Sequence, residues 1–508
     1  MALLSSDGSK KGGYTIVLTT DKTLASDYNG SIFLGFGATF PKILPMPLYN
    51  YLFLSPLPHD EGVMKYGHCG SRKIEAALLY DGFTEKDVVV AHPEKLNKVV
   101  GSQTKVVGIT THDPLGLGPA STTFSEFINE EPYSSYYFKD LIRDRSIRDN
   151  DVKVIVGGPG TWQLEDEDIL KKYRIDSIVL GEGEKVAPEL FRRAINDEKI
   201  PSIVEGEVVP KEEIPIIKKP TINGLVEISR GCGRGCNFCN PTLLNLRHRS
   251  VDEIVEEVKI NNKAGAKQAL LHAEDVLRYG SKRLIPEPEK LMHLLQKIKK
   301  ITSMIGFSHS SLASAACQPE LIEDITELLN IGSNEYPFTS LQVGIETGSV
   351  RLVKKQLRGK VKPFDVEDWP SVVMQAIAIF NENSWIPCAT LIMGLPSENQ
   401  DDIMRTIELL DDIERHDVFV VPLMFVPLGV QKKERFFTKE DMTPEHWQLL
   451  AKCIRMDFDI SDDMILGLAE MDDIHFLKKY SFMMMKKYMQ KRLEPYVKKM
   501  ERGVDPVS

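Results

Sequence analysis

The sequence predicts an α/β chain in three parts. A doubly wound, Rossmann-like domain spans residues 14–200, a partial (β/α)6 barrel spans 223–430, and a helical C-terminal region spans 431–508. Three observations predict this. Apolar, β-rich runs alternate with amphipathic helical stretches twice along the chain, as strands and crossover helices do in parallel sheets. A proline-rich break, 201–222, separates the two series. The second series opens with three cysteines, Cys232, Cys236 and Cys239, directly after its first strand. A length of 508 residues with 42% hydrophobic and 27% charged residues is that of a globular protein of about three domains.

In the first series the expected strands are Tyr14–Thr20, Val88–His92, Lys105–Thr110, Val152–Val156 and Ser177–Leu180. They are continuous apolar runs, the pattern of parallel strands covered on both faces. Helical periodicity at Ser71–Tyr80, Glu167–Tyr173 and Ala187–Ala194 supplies the cover. Pro201, Pro210, Pro215 and Pro220 then interrupt the pattern, with no helical period between them, which reads as a domain linker.

The second series places strands at Gly224–Ser229, Gln268–His272, Met304–Ser308, Leu341–Ile345, Pro387–Ile392 and Phe419–Phe425. Helices at Val251–Lys263, Glu287–Ile301, Pro319–Leu329, Trp369–Glu382 and Gln400–Glu414 separate them. Six strands on one plan suggest a partial barrel, whose chemistry sits at the carboxyl ends of its strands. The tail carries helical patterning at Pro444–Met456 and Phe476–Lys498, with Met483–Met485 as adaptable packing or contact surface.

A formal net charge of -10 argues against a nucleic-acid partner, which would favour a basic balance. Met1–Gly12 lacks the apolar core of a secretory leader, and Ile43–Leu57 is cut by Pro45, Pro47 and Pro56, too broken for a membrane span. The expectation is a cytoplasmic protein without a membrane partner. Seven cysteines, an odd number, argue against a disulfide framework. The isolated Cys69, Cys317, Cys388 and Cys453 read as small buried hydrophobes, and Cys69, in Gly67-His68-Cys69-Gly70, could also lie near a ligand.

The clustered three lie in Arg230-Gly231-Cys232-Gly233-Arg234-Gly235-Cys236-Asn237-Phe238-Cys239-Asn240, a C-x3-C-x2-C motif. Thiolates on a glycine-rich loop can wrap three corners of a cubane iron–sulfur cluster and leave one iron open. The alternative is a zinc knuckle, but zinc sites pair their ligands at both ends of the motif, and no second C-x2-C exists. His248 does not complete a zinc spacing.

C-x3-C-x-aromatic-C after a first barrel strand resembles the radical S-adenosylmethionine superfamily. The resemblance implies that Cys232, Cys236 and Cys239 ligate a [4Fe-4S] cluster, and that its open iron chelates S-adenosyl-L-methionine. Phe238 would border the adenine, and an electron from an external low-potential donor would release a 5′-deoxyadenosyl radical. Leu271-His272-Ala273-Glu274-Asp275 ends the second strand as acidic active-site edges do in that family, with Glu274 as a cofactor-binding candidate. Val343-Gly344-Ile345-Glu346-Thr347-Gly348-Ser349 resembles its fourth-strand motif, making Glu346, Thr347 and Gly348 further candidates, and Gly394-Leu395-Pro396 resembles its fifth. The fourth-strand segment could equally be a strand cap.

In the first domain, Val156-Gly157-Gly158-Pro159-Gly160 and Leu180-Gly181-Glu182-Gly183-Glu184 resemble the cobalamin-binding domain that often precedes this radical domain. Glycines at strand ends let backbone approach a flat ring closely, though a plain doubly wound domain could carry the same turns. Asp113-Pro114-Leu115-Gly116-Leu117-Gly118-Pro119, at the carboxyl edge of the third strand, is expected beneath the corrin, with Asp113, Leu115, Gly116 and Leu117 as candidates. None of the eleven histidines completes D-x-H-x-x-G, the nearest being Asp473-Ile474-His475. Cobalamin is thus expected without a histidine ligand, and His112 reads as a loop residue.

Phe36-Gly37-Ala38-Thr39-Phe40-Pro41-Lys42, the Asp113–Pro119 loop and Arg230-Gly231-Cys232 together resemble the methanogen glutamine C-methyltransferases that modify methyl-coenzyme M reductase, over residues 14 to about 430. The resemblance implies a post-translational modification: a deoxyadenosyl radical removes hydrogen from an unactivated carbon of a glutamine, and methylcobalamin supplies the methyl group. The partner would be the alpha subunit of methyl-coenzyme M reductase. A related enzyme acting on a lipid, a peptide natural product or a small molecule is the alternative. An RNA methylthiotransferase would bring a second cysteine trio, which the isolated cysteines do not form. A non-catalytic cofactor sensor would have no use for an open iron.

Overall fold

The computed structural model describes residues 12–30, 32–239, 245–471 and 476–506. Met1–Lys11, Asn240 of the cysteine motif and Asp473-Ile474-His475 lie outside them. The described chain divides into two compact units. The first holds the residues up to Tyr28, Gly35–Val226 and Asp252–Lys267, and the second holds Asn29–Leu34, Glu227–Val251 and the residues from Gln268 onward.

Six parallel strands form the sheet of the first unit: β1 (Ile16–Thr20), β2 (Val88–Val90), β3 (Val106–Thr110), β4 (Lys153–Gly157), β5 (Ser177–Leu180) and β6 (Ile203–Glu205), in the order β2-β1-β3-β4-β5-β6. Alternate side chains enter separate cores. Val17, Val89, Val107, Val154 and Ile178 pack with Phe138, Leu141 and Leu170 on one face. Ile16, Val88, Val106, Ile155 and Val179 pack with Leu78, Leu190 and Phe191 on the other. Burial on both faces is why the strands read as unbroken apolar runs. Because the chain leaves β1 for β2 and then returns past it to β3, the crossovers diverge at the carboxyl edge beside β1, where doubly wound sheets open a crevice.

Two expectations are corrected here. The stretch expected to be a plain linker contains β6, which pairs with β5 at Ile178↔Ile203 and extends the sheet. Ile203 and Val204 continue the β-branched character of the sheet, and the prolines fall on either side of them. The second strand stops at Val90 rather than His92, because the His92 ring accepts a 3.2 Å hydrogen bond from Glu94 N and caps a short turn at Pro93. Helix Val251–Lys263 packs almost wholly with the first unit. It does so through Glu257, which meets Lys73 at 2.5 Å with both side chains buried, and through Asn261, which accepts from Thr221 N at 2.8 Å.

The strands of the second series are β7 (Leu225–Glu227), β8 (Gln268–His272), β9 (Met304–Phe307), β10 (Thr339–Glu346), β11 (Trp385–Met393) and β12 (Phe419–Met424). They form two three-stranded sheets, β9-β8-β7 and β10-β11-β12. A parallel bridge between His309 and Gln342 joins the two, so the strands follow one another in chain order. Pro387 is tolerated within β11 because pairing to β12 begins only at Cys388. Ser229–Arg230, immediately before the cysteines, pairs antiparallel with Arg247–His248. Beyond the strands lie two long helices, Pro444–Met471 and Phe476–Met500; the first outruns the expected Pro444–Met456. Among the described residues no helix is long and apolar enough to cross a membrane.

Candidate functional site

In the second unit the cysteine loop is built around an arginine. The Arg234 side chain is buried, and its guanidinium donates to the carbonyls of Gly359 (3.2 Å), Lys360 (3.1 Å) and Lys362 (2.7 Å). It also donates to Ser314 Oγ at 2.9 Å and to Asp275 Oδ2 at 3.2 Å. Asp275 is itself held by Ser310 and Ser314 at 3.1 and 2.7 Å. Arg278 donates to the Cys232 carbonyl at 3.1 Å. The loop is thus held between Asp275, just past β8, and the segment 359–362 that follows β10. Sequence reasoning passed over Arg234 and Asp275; their signal was a lone basic residue between the cysteines and a second carboxylate beside Glu274.

The thiols themselves are partly buried. Burial pushes the Cys232 and Cys236 thiols up and lifts Cys239 to about 12. Arg234 and Arg278 oppose the rise at Cys232, and Lys360 opposes it at Cys236. Burial pulls Lys360 down, but Glu346 and Cys236 outweigh it and keep the amine charged. Among the described residues no group of three or more His, Cys, Asp or Glu side chains is set to hold a single metal ion. A cubane asks for a different arrangement, one thiolate at each of three corners, with nearby cations to favour the deprotonated form. Three thiols on one loop, edged by two arginines and a lysine, fit that requirement.

The other candidates divide. Glu346 takes a left-handed backbone (φ 62°) at an irregularity in the β10–β11 register, which turns its carboxylate onto Lys360 at 2.8 Å and Thr390 Oγ1 at 3.2 Å. Its charge is felt by Cys236, and that of Glu274 by Cys239. Phe238 packs against Leu352, Leu395 and Phe425. Thr347 and Gly348 point into the helical layer: the Thr347 carbonyl accepts from Trp369 Nε1 at 2.9 Å, and Gly348 N donates to Thr406 Oγ1 at 2.9 Å. His248 is occupied by Ser229 Oγ and the Ser281 carbonyl at 2.7 and 2.9 Å.

In the first unit, two of the three candidate loops meet at the carboxyl edge. Asp113 Oδ1 accepts from Gly118 N (2.9 Å) and Gln163 Nε2 (2.7 Å), and Oδ2 accepts from Ser134 Oγ (3.1 Å) and the Ser121 hydroxyl. Gln163 Oε1 in turn accepts from Leu115 N at 2.9 Å and Leu117 N at 3.4 Å. Gly158 has φ +103°, and a Cβ there would lie 2.5 Å from the Thr111 carbonyl oxygen. Across Pro159, Gly160 abuts the His112 carbonyl just as closely, whereas a Cβ on Gly157 would meet nothing within 4 Å. Gly116, at φ +74°, makes the turn against Pro132. Gly181, Glu182 and Gly183 follow the next strand and turn toward other neighbours, with Glu182 Oε2 accepting from Val209 N at 3.0 Å and Gly183 facing Ile74.

One feature of this edge escaped the sequence. Asp21, just past β1, is buried and accepts from Thr23 N (2.8 Å), Leu24 N (3.3 Å) and the Thr23 hydroxyl. Burial raises its carboxyl to about 6. Nearby, Tyr49 stacks on Tyr133 with ring centroids 3.4 Å apart.

Residues 226–410 match the Radical SAM superfamily. Over that stretch, which begins just before the cysteine loop and ends within helix Gln400–Ile413, the chain is similar to radical SAM domains. A Methanocaldococcus jannaschii protein provisionally named a methylthiotransferase is 26% identical over 296 residues, covering 54% of this chain and 61% of that protein. The tRNA-2-methylthio-N(6)-dimethylallyladenosine synthase of Clostridium tetani is 29% identical over 267 residues, covering 50% of this chain and 54% of the enzyme. The chain therefore spans only a little over half the length of these relatives. Among solved structures, the radical S-adenosylmethionine methyltransferase TsrM from Kitasatospora setae, with cobalamin and a [4Fe-4S] cluster bound, superposes with a TM-score of 0.55 at 13% identity, over 82% of this chain and 77% of its own. At that identity the likeness is one of fold.

Proposed function

We propose that the chain is a cobalamin-dependent radical S-adenosylmethionine C-methyltransferase acting on an unactivated carbon of a glutamine in the alpha subunit of methyl-coenzyme M reductase. One observation carries the reading: a radical SAM domain with a three-cysteine loop shares its chain with a parallel, doubly wound unit whose carboxyl edge is lined by close-packed glycines. Cys232, Cys236 and Cys239 hold the cluster, and Glu274, Glu346 and Phe238 edge the S-adenosylmethionine site. Asp113–Leu117 and Gly157–Gly160, with Gly181–Gly183 alongside, form the cobalamin platform. The bound groups supply reductive cleavage of S-adenosylmethionine and a transferable methyl group. Arg234 fixes the loop, Lys360 and the arginines favour thiolates, and Asp113 with Gln163 keeps the platform rigid. The site needs an external low-potential electron donor. The reading places the enzyme in the cytoplasm, with no nucleic-acid or membrane partner.

The names of the sequence relatives favour a second reading, a radical SAM enzyme of this construction with another substrate. Attachment of sulfur by a second cluster is the weaker form of it, because Cys388 and Cys453 are wholly buried in a strand and a helix. The deciding experiment is anaerobic reconstitution with iron, sulfide and cobalamin, followed by S-adenosylmethionine, a low-potential reductant and a peptide carrying the target glutamine. One added methyl per peptide together with free 5′-deoxyadenosine is expected. Deoxyadenosine without methylation of the peptide would leave the class standing and remove the substrate.

A further inference from the structure

On the inner face of the second unit's strands, half-exposed side chains alternate with fully buried ones. In β8, Ala269 and Leu271 are buried, while Gln268, Leu270 and His272, on the opposite face, are partly exposed. In β10, Leu341 and Val343 are buried, while Ser340 and Gln342 alternate with them. At the carboxyl end of this face two imidazoles meet, His272 and His309, with ring centroids 5.7 Å apart and planes at 76°.

Both rings are held for contact. Ser308 Oγ lies 3.1 Å from the Ala273 carbonyl oxygen and accepts from Ala273 N at 3.2 Å. His272 Nδ1 lies 3.1 Å from the same hydroxyl oxygen, which fixes the plane of the ring. His309 is pinned by its backbone, since Gln342 N donates to the Ser308 carbonyl at 2.8 Å and Ser310 N donates to the Gln342 carbonyl at 2.9 Å. Its Nδ1 is buried and has no hydrogen-bond partner, a group that needs an explanation in a packed protein. Burial lowers the His309 ring to about 4, against the pull of Glu274, so it is uncharged at neutral pH. Glu274 lies within electrostatic reach of both His309 and Cys239, which ties the pair to the cysteine loop.

We propose that His272 and His309 are the specificity-determining residues of the barrel, reading an uncharged substrate group that has both a hydrogen-bond donor and an acceptor, as a side-chain carboxamide does. This rests on the methyltransferase reading and names what that site selects. Two imidazoles offer ring nitrogens that can donate or accept. A carboxylate in the same place would face Glu274, and a thioether would leave His309 Nδ1 unpaired.

The test compares three peptides identical except for glutamine, glutamate or methionine at the target position, with wild-type, His272→Phe, His309→Phe and His309→Gln holoenzymes. Both Phe variants are expected to raise KM for the glutamine peptide at least about tenfold, with kcat changed less than about threefold. They should also narrow the preference for glutamine over methionine, while substrate-free formation of 5′-deoxyadenosine stays within about twofold of wild type. His309→Gln, which keeps a donor and an acceptor, should recover most of the KM and guards against a merely misfolded Phe variant. Unchanged KM and unchanged preference in the Phe variants would overturn the assignment and leave the enzyme class intact. Wild-type protein that forms no 5′-deoxyadenosine would overturn the class, and the assignment with it.

Discussion

Around Asp113 in the first unit, one carboxylate accepts from Gly118, Ser121, Ser134 and Gln163, and Gln163 passes the restraint on to Leu115 and Leu117. Around Arg234 in the second unit, one guanidinium gathers three carbonyls, Ser314 and Asp275, while the thiols beside it are pushed toward their neutral forms by burial. Both loops hang on a single charged side chain. They differ in what remains to be satisfied. The Asp113 loop is complete as folded and can act as a rigid floor. The cysteine loop has its backbone positioned while burial raises its thiols, so a cluster would have to draw them to thiolates. A preformed platform should bind its ligand with little rearrangement, and the cysteine loop should gain stability when loaded.

Four experiments would break or sharpen that contrast, from the largest expected effect to the smallest. Cys236→Ala should abolish the cluster's visible absorbance and lower 5′-deoxyadenosine formation at least about a hundredfold, with cobalamin binding retained. A variant that still cleaved S-adenosylmethionine at the wild-type rate would remove Cys236 from the ligand set. Next, Arg234→Met removes the nearer of two buried cations on Asp275, leaving Arg278 at 3.9 Å, and should cost about 3 kcal/mol in urea unfolding of the second unit. Retention of wild-type stability would mean the loop is organised by something other than Arg234.

Asp113→Ala removes an acceptor shared by four donors, and about 3 kcal/mol of stability should be lost from the first unit. Weaker cobalamin binding, measured by equilibrium titration, should accompany it, and unaltered affinity would count against the platform. The smallest effect concerns pH. Asp21 has a raised carboxyl in the fold, so its contribution is fully present below the ordinary carboxyl range and is lost as pH rises through about 6. Between pH 5 and 7 this should lower the stability of wild type by about 1 kcal/mol relative to Asp21→Asn, as read by paired melts at each pH. Parallel pH profiles for the two proteins would show that Asp21 titrates normally.

The elements were largely legible in the sequence, because strands buried on both faces need runs such as Val106–Thr110 and amphipathic helices need a 3.6-residue period. Ile203–Glu205 was missed because a short edge strand flanked by prolines looks, over a window that small, like any extended linker. Within the site, the legible residues were those whose chemistry is unusual at close spacing, the three cysteines and the paired glycines. Arg234, Asp275, Gln163 and the His272–His309 pair were not legible, since their partners lie tens of residues away; the Asp21 carboxylate bonds to its near neighbours Thr23 and Leu24, and what escaped the sequence there was its burial.

The sequence by itself determined the two αβ series, the break between them and the C-x3-C-x2-C loop, because each is set by local periodicity or by covalent spacing. Only the tertiary structure decided which glycines pack closely at the carboxyl edge, that Thr347 and Gly348 bond into the helical layer, and that His272 and His309 face each other. Those facts depend on register, burial and long-range hydrogen bonding, which exist only once the strands have been laid side by side.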